Sequence, residues 1–285
     1  MNFIISTENT CDLSRDYLSA NDVRVINMSY TVGAEEYGGD TGRELDVKEF
    51  YNKMREGEKT STAMINETIA TEYFSTLAKE GKDVLHISFA SACSGTYESM
   101  LKASRALYQN AKTKTYVVDS LCESAGQGLL VKLVVEYAKT HTIKETYDYA
   151  NDVKNRVNLL FTVEDLSYLA RGGRISRVSA TVGNALKIKP LLSVDDVGKL
   201  TPRTKVMTRR LSISKLIEKT KEKFSGESSK IIIGHSDCIE TAEKVKSELL
   251  CLTSDIEIEN IGPVIGAHSG PGTLAIFFLG EDRAF

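Results

Sequence analysis

The sequence has no tryptophan, only 4 prolines and 4 histidines, and no excess of either charge: 36 lysines and arginines stand against 39 aspartates and glutamates, a formal net charge of -3. Without clustered basic residues there is no electrostatic footprint for nucleic acid, so binding to a polyanion is not expected. No apolar run approaches the ~20 residues that a membrane helix needs, which leaves at most a transient membrane contact and no stable insertion. The opening Met1-Asn2-Phe3-Ile4-Ile5-Ser6 turns polar after a short apolar run. It reads as a first strand rather than an export signal, so the expected compartment is the cytoplasm.

Cysteine chemistry is also thinly supported. Cys11, Cys93, Cys122, Cys238 and Cys251 are widely spread and form no C-x-x-C pair, so they read as small buried hydrophobes rather than zinc or redox groups. His86, His141, His235 and His268 lack H-x-x-x-H spacing, and no metal or cofactor is expected. His86 alternates with Leu85 and Ile87 and reads as a structural strand residue. There is no G-x-x-x-x-G-K-[S/T] run, which removes a nucleotide-dependent kinase in this chain alone.

What is present is an ordinary globular composition, 41% hydrophobic and 26% charged over 285 residues, enough for one large domain or two modest ones. Strand-like runs at residues 3–6, 23–29, 84–89 and 115–118 alternate with helical stripes, one through Ile69, Ala70, Tyr73, Phe74, Leu77 and Ala78, another from Leu129 to Ala138. That rhythm predicts an α/β fold with core-facing helices over a sheet. A polar helical stretch at 139–155 precedes further strands at 158–163, 189–194, 199–206, 230–235 and 273–279. The domain boundary is expected near residue 155, giving domains 1–155 and 156–285. Asp195-Asp196-Val197-Gly198 is a hairpin signal, so the second half mixes antiparallel pairing with helical crossovers at 211–224 and 241–250.

Five segments carry the functional signal. Ser91-Ala92-Cys93-Ser94-Gly95-Thr96-Tyr97 follows a strand and opens a helix, where free amides and the helix dipole favour an anion outside the carboxyl end of the sheet. Ser94 is then either a hydroxyl donor to that anion or a helix cap. Thr60-Ser61-Thr62 is a hydroxyl cluster between two helices, expected in a loop. Asp119-Ser120 with Ser124-Ala125-Gly126-Gln127-Gly128 follows the next strand, its glycines permitting close backbone approach. Arg171-Gly172-Gly173-Arg174-Ile175-Ser176 ends a helix at a glycine pair flanked by two arginines. Residues 261–272 hold His268 in a run dense in glycine and proline, expected as a loop.

In order and wording these segments resemble the DegV family of bacterial fatty-acid-binding proteins along nearly the whole chain. The family pattern looks like a Thr-Ser loop, then Ser-Gly-Thr-Tyr, Asp-Ser with a later Gly-x-Gly, Gly-Gly-Arg-Ile-Ser, and Gly-x-x-x-Gly-x-His with Gly-Pro-Gly. The resemblance implies a two-domain α/β protein, with an N-terminal mostly parallel domain, a C-terminal mixed domain and one long-chain fatty acid of the palmitate or oleate class at their interface. It implies that Ser61 and Ser94 hold the carboxylate, with Thr60 and Thr62 as alternates and His268 as a third contact. The acyl tail is expected in the second domain.

It further implies a non-catalytic carrier that presents the bound carboxylate to a separate fatty acid kinase for phosphorylation to an acyl phosphate, in fatty acid metabolism and phospholipid synthesis. Arg171 and Arg174 are expected in the partner-docking edge. Three departures stand out: Ile5-Ser6-Thr7 where the family has Asp-Ser-Thr, Ala63 where a proline follows the Thr-Ser loop, and Ala90-Ser91-Ala92 for Ser-Ser-Gly. The alternative reading is a serine hydrolase with Ser94 as nucleophile, His268 as base and Asp119 as orienting acid, although no G-x-S-x-G elbow is present.

Overall fold

The computed structural model describes residues 1–108, 112–176 and 188–283. Its first sheet is built from β1 (Ile4–Glu8), β2 (Arg24–Ile26), β6 (Val84–Ser88) and β7 (Thr115–Asp119) in the order β2-β1-β6-β7, parallel throughout. Helices α1 (Arg15–Ala20), α3 (Glu67–Ala78), α4 (Thr96–Tyr108) and α5 (Ala125–Tyr137) connect and flank it. A polar side chain starts several helices: Asn66 Oδ1 accepts from the Ile69 amide at 3.0 Å before α3. Thr142 and Glu145 close a reciprocal capping box at α6 (Ile143–Val153).

The stretch at 23–29, expected as one strand, is two. β2 ends at Ile26, and β3 (Ser29–Val32) enters a separate antiparallel sheet with β4 (Glu35–Gly38) and β5 (Thr60–Thr62), in the order β4-β3-β5. The break has a local cause. The Asn9 side chain accepts from the Met28 amide at 2.9 Å and donates to its carbonyl at 3.2 Å, occupying both groups that a ladder partner would use. This small sheet and α2 (Val47–Arg55) place Tyr30, Phe50, Tyr51 and Met54 in an apolar cluster shared with Ile4, Phe74, Val84 and Met100 around the parallel sheet.

The polar stretch before residue 155 is α6, followed by a short 3-10 turn at Lys154–Arg156, where the expected boundary falls. A six-stranded mixed sheet follows: β8 (Val157–Thr162), β9 (Leu191–Val194), β10 (Leu200–Thr204), β11 (Ile231–His235), β12 (Ile256–Asn260) and β13 (Leu274–Leu279), ordered β10-β9-β8-β13-β11-β12. Only β11 and β12 pair in parallel. Its helices are α7 (Ser167–Arg171), α8 (Arg209–Lys223), α9 (Ile239–Leu249) and α10 (Pro263–Ser269). No helix among the described residues is long and apolar enough to cross a membrane.

Strand alternation divides the core. On β8 and β13, Leu160, Ile276 and Phe278 face a cluster shared with Leu216 of α8 and Val245 of α9. Leu159, Phe161, Ala275 and Phe277 face the other way, into a cluster that also contains Ile5, Leu85, Ile87 and Leu129. Helix α5 therefore serves both sheets: it packs on β6 and also on β8, β11 and β13. Gly126 lets α5 approach the second sheet, where a Cβ would meet the Phe277 ring at 3.1 Å, and Gly128 lets it approach the turn after β1, where a Cβ would meet the Cys11 carbonyl at 2.5 Å.

Candidate functional site

A cavity of about 330 Å³ lies between the carboxyl ends of the parallel strands and the inward face of the six-stranded sheet, at the small end of the ~300–1,000 Å³ usual for ligand sites. Thr10 follows β1, Phe89 to Gly95 follow β6, and Glu123 and Ser124 follow β7. Those loops form one wall, as expected for the open end of a parallel sheet. Leu159, Phe161, Ala275 and Phe277 form the opposite apolar wall, with Leu169, Leu200, Ile261, Val264 and Ile265 around them. In the antiparallel register Phe161 stands opposite Ala275 and Leu159 opposite Phe277, so large and small residues alternate across the pair.

Thr60-Ser61-Thr62 is a strand, not a loop, and this changes the role of each hydroxyl. Alternation sends Ser61 outward, exposed and bonded to Thr31 at 2.7 Å. Ser61 is absent from the cavity lining, contrary to the expectation that placed it first. Thr62 lines the cavity, and its Oγ1 is 2.8 Å from Nε2 of His268. Thr60 donates to the Ala267 carbonyl at 3.3 Å and so ties β5 to α10. Ala63 donates its amide to the Ser29 carbonyl at 3.1 Å, a bond that a proline there would not make.

His268 also sits differently from its expected loop: Pro263–Ser269 is a short helix with proline at its start, where the missing N–H costs nothing. Long-range contacts hold this helix. Asp12 accepts from the Gly262 amide at 2.9 Å and from Ser124 Oγ at 2.6 Å, while the Tyr51 hydroxyl donates to the Ile261 carbonyl at 2.7 Å. The imidazole packs directly over Gly172, where any Cβ would collide with Nδ1. Gly172, the first of the glycine pair, thus makes room for the ring. Burial, with the Arg174 cation second, pushes the His268 pKa down to about 4, so the imidazole is neutral at neutral pH.

Ser94 lines the cavity, and its Oγ bonds both the Thr96 hydroxyl at 2.9 Å and the Thr96 amide at 3.2 Å. It is therefore a turn-capping group and a cavity group at once. Thr96 in turn accepts from the Ile65 amide at 3.3 Å, which joins the Ser94 turn to the chain leaving β5. Arg174 lines the same cavity, donating to the Cys93 carbonyl at 3.0 Å and to the Gly172 carbonyl. No ion pair joins Arg174 to a carboxylate among the described residues. Arg171 is exposed, its guanidinium 4.5 Å from the Tyr168 ring centroid. The two arginines expected together at a docking edge therefore part company, one inward and one outward.

The hydrolase geometry is not formed. His268 bonds Thr62, Ser94 bonds Thr96, and Asp119 Oδ1 accepts from the Ser91 and Leu121 amides, each at 3.1 Å. No relay links the three. Among the described residues no three of His, Cys, Asp and Glu come together as a metal site would need. His86 is fully buried against Glu8 and Ser6, while the Glu8 carboxylate also accepts from Ser88, the Phe89 amide and Gln127. Sequence reasoning missed Thr10 and Glu123 as cavity residues. Their only signal was position, just past the carboxyl ends of β1 and β7.

A family model described as an uncharacterised protein of the DegV family matches residues 2–281. A DegV domain-containing protein of Clostridium perfringens is 37% identical over 288 residues, covering 99% of this chain and 98% of its own. Among solved structures, DegV of Bacillus subtilis, described as a fatty acid binding protein, superposes with a TM-score of 0.83 at 26% identity, covering 99% of this chain and 100% of its own. A fatty acid binding DegV family protein of Streptococcus agalactiae gives a TM-score of 0.85 at 25% identity, with 99% and 100% covered.

Proposed function

This chain belongs to the DegV family, and we propose that it binds one long-chain fatty acid, with the carboxylate among Thr62, Ser94, His268 and Arg174 and the acyl chain along the wall of Leu159, Phe161 and Phe277. Ser61, first in the sequence-based expectation, has no part in this reading, and Thr60 positions α10 rather than touching the ligand. The observation that carries the proposal is the composition of the cavity: two hydroxyls, a neutral imidazole and a guanidinium with no carboxylate ion pair among the described residues open onto a space walled largely by apolar side chains. Both solved relatives, described as fatty acid binding proteins, point the same way.

The energetics suit a carrier. Burying about fifteen methylenes at ~0.8 kcal/mol each offers roughly 12 kcal/mol gross, more than the head group's hydrogen bonds supply. Ordering and association costs leave binding at about micromolar or tighter. Affinity comes from the tail and register from the head.

In the fuller form of this reading the protein performs no catalysis itself. It holds a palmitate- or oleate-class chain in the cytoplasm and exposes the carboxylate to a partner kinase that makes the acyl phosphate. Arg171, outward and exposed, is then the docking residue, and Arg174 a head-group contact. Native mass spectrometry of the purified protein, followed by extraction, tests the binding step. A one-to-one adduct with the mass of a long-chain fatty acid is expected, and a bare protein that refuses added fatty acid overturns the proposal. With a purified kinase, Arg171→Glu should lower turnover without loosening the fatty acid, and unchanged turnover removes Arg171 from docking.

A further inference from the structure

Among the described residues Glu123 is the one carboxyl group in the cavity lining, beside the buried and unpartnered Ser269 Oγ and His268 Nδ1, and a plain acyl chain does not use it. Glu123 is 6% exposed and lines the cavity from the loop after β7. Its Oε1 accepts from the Cys93 thiol at 3.0 Å, while Oε2 is buried with no hydrogen-bond partner among the described residues. Glu8 shows how this fold satisfies a buried carboxylate that is purely structural. Its oxygens receive His86 Nε2 at 3.1 Å, Ser88 Oγ at 2.6 Å, the Phe89 amide at 3.0 Å and Gln127 Nε2 at 2.6 Å. Glu123 has one weak thiol donor and an open oxygen.

Burial pushes the Glu123 pKa up to about 8, against the lowering effect of the Cys93 bond and of Arg283, and with Asp119 and Asp195 raising it further. At neutral pH it is therefore mostly a carboxylic acid, able to donate through its O–H and to accept through its carbonyl. A methylene beside it leaves both capacities unused, and a buried polar group without a partner is costly. A ketone or epoxide oxygen would only accept. A hydroxyl both donates and accepts, so it pairs with Oε2 whichever oxygen carries the proton.

We infer that Glu123 is a second polar subsite within the cavity and that the ligand class this chain favours is a long-chain fatty acid bearing a hydroxyl on its acyl chain. The inference rests on the fatty-acid reading above and adds the chemistry of the chain. Glu123 acts here as a specificity-determining contact. Discrimination by a hydrogen bond is sharper than discrimination by a methylene, because the wrong ligand leaves the protein's own buried group unpaired.

The test is a binding series on the full chain, comparing octadecanoic acid with octadecanoic acids that carry a single hydroxyl at successive positions. At one position or a narrow run of positions, the hydroxylated-to-plain affinity ratio should be about tenfold or more higher in the native protein than in Glu123→Leu, the worth of one retained hydrogen bond. Glu123→Gln, which also donates and accepts, should keep the preference. Retained octadecanoic acid binding by Glu123→Leu shows that its cavity is intact. The inference falls if no hydroxylated acid outcompetes the plain one in the native protein, or if the preference survives in Glu123→Leu. If plain and hydroxylated acids both fail to bind, the fatty-acid reading falls and this inference with it, an outcome distinct from equal binding of both.

Discussion

Thr62 and His268, 206 residues apart in sequence, meet at 2.8 Å between hydroxyl and Nε2. The contact joins the edge of the small antiparallel sheet to the short helix before the last strand, and it sets which hydroxyl of the Thr60-Ser61-Thr62 cluster faces the cavity.

That register separates two neighbouring substitutions. Thr62→Val keeps the strand and removes the hydroxyl, and should weaken fatty-acid binding by about tenfold, the value of one hydrogen bond to a charged head group. Ser61→Ala removes only an exposed contact with Thr31 and should leave affinity unchanged. Titration calorimetry on the two variants decides between the faces, and the reverse pattern would mean that the ligand lies on the other side of β5.

His268 gives stability a pH dependence with a definite sign. Its folded pKa is depressed from the ordinary 6.5 to about 4. The unfolded chain therefore takes up the proton first as pH falls. The contribution is fully present above pH 6.5 and is lost as pH drops through about 4, on the order of 2 kcal/mol. Urea unfolding of the ligand-free protein between pH 7 and pH 4 should show the stability of the native protein fall relative to that of His268→Asn, the opposite contributions of Asp12 and Glu123 being common to both proteins.

Glu123 has the opposite sign. Its folded pKa is raised from 4.5 to about 8, so the folded state holds the proton more tightly than the unfolded one. That contribution is complete below pH 4.5 and disappears as pH rises through about 8, on the order of a few kcal/mol. Glu123→Gln should flatten the decline in unfolding free energy between pH 4.5 and about 8, and a decline equal to that of the native protein would mean that Glu123 is already ionised when folded.

Gly172→Ala tests the room made for the imidazole. A Cβ there collides with His268 Nδ1, so the ring must shift away from Thr62. We expect at least about tenfold weaker fatty-acid binding together with a destabilisation of about 1–3 kcal/mol, the usual range for overpacking. Gly173→Ala is the control: a Cβ at Gly173 meets nothing within 4 Å, although its φ of +74° carries a backbone cost. It should lower stability while sparing affinity, and chemical denaturation alongside binding reads the two apart.

Local chemistry was enough to set out most elements. The stripe of Ala70, Phe74 and Leu77 became the buried face of α3, and Asp195 to Gly198 became the turn between antiparallel β9 and β10. The motifs from Ser94 to His268 led to the family, because their spacing depends on turns and caps that neighbouring residues specify. Two short segments were misread for a shared reason. Thr60-Ser61-Thr62 has too few residues to display alternation and becomes a strand only by pairing with β3. Pro263–Ser269 is short, begins with proline and is flanked by Gly262, Gly270 and Gly272, so it does not look helical, and it is held by Asp12, Tyr51 and Thr60 from distant parts of the chain. The sequence by itself determined the α/β order and the motif segments that line much of the site, since these follow from periodicity and capping within a few residues. Which hydroxyl faces inward, which arginine turns toward the cavity and whether Glu123 finds a partner were decided only by tertiary structure, because strand register and burial are set by contacts between segments far apart in the chain.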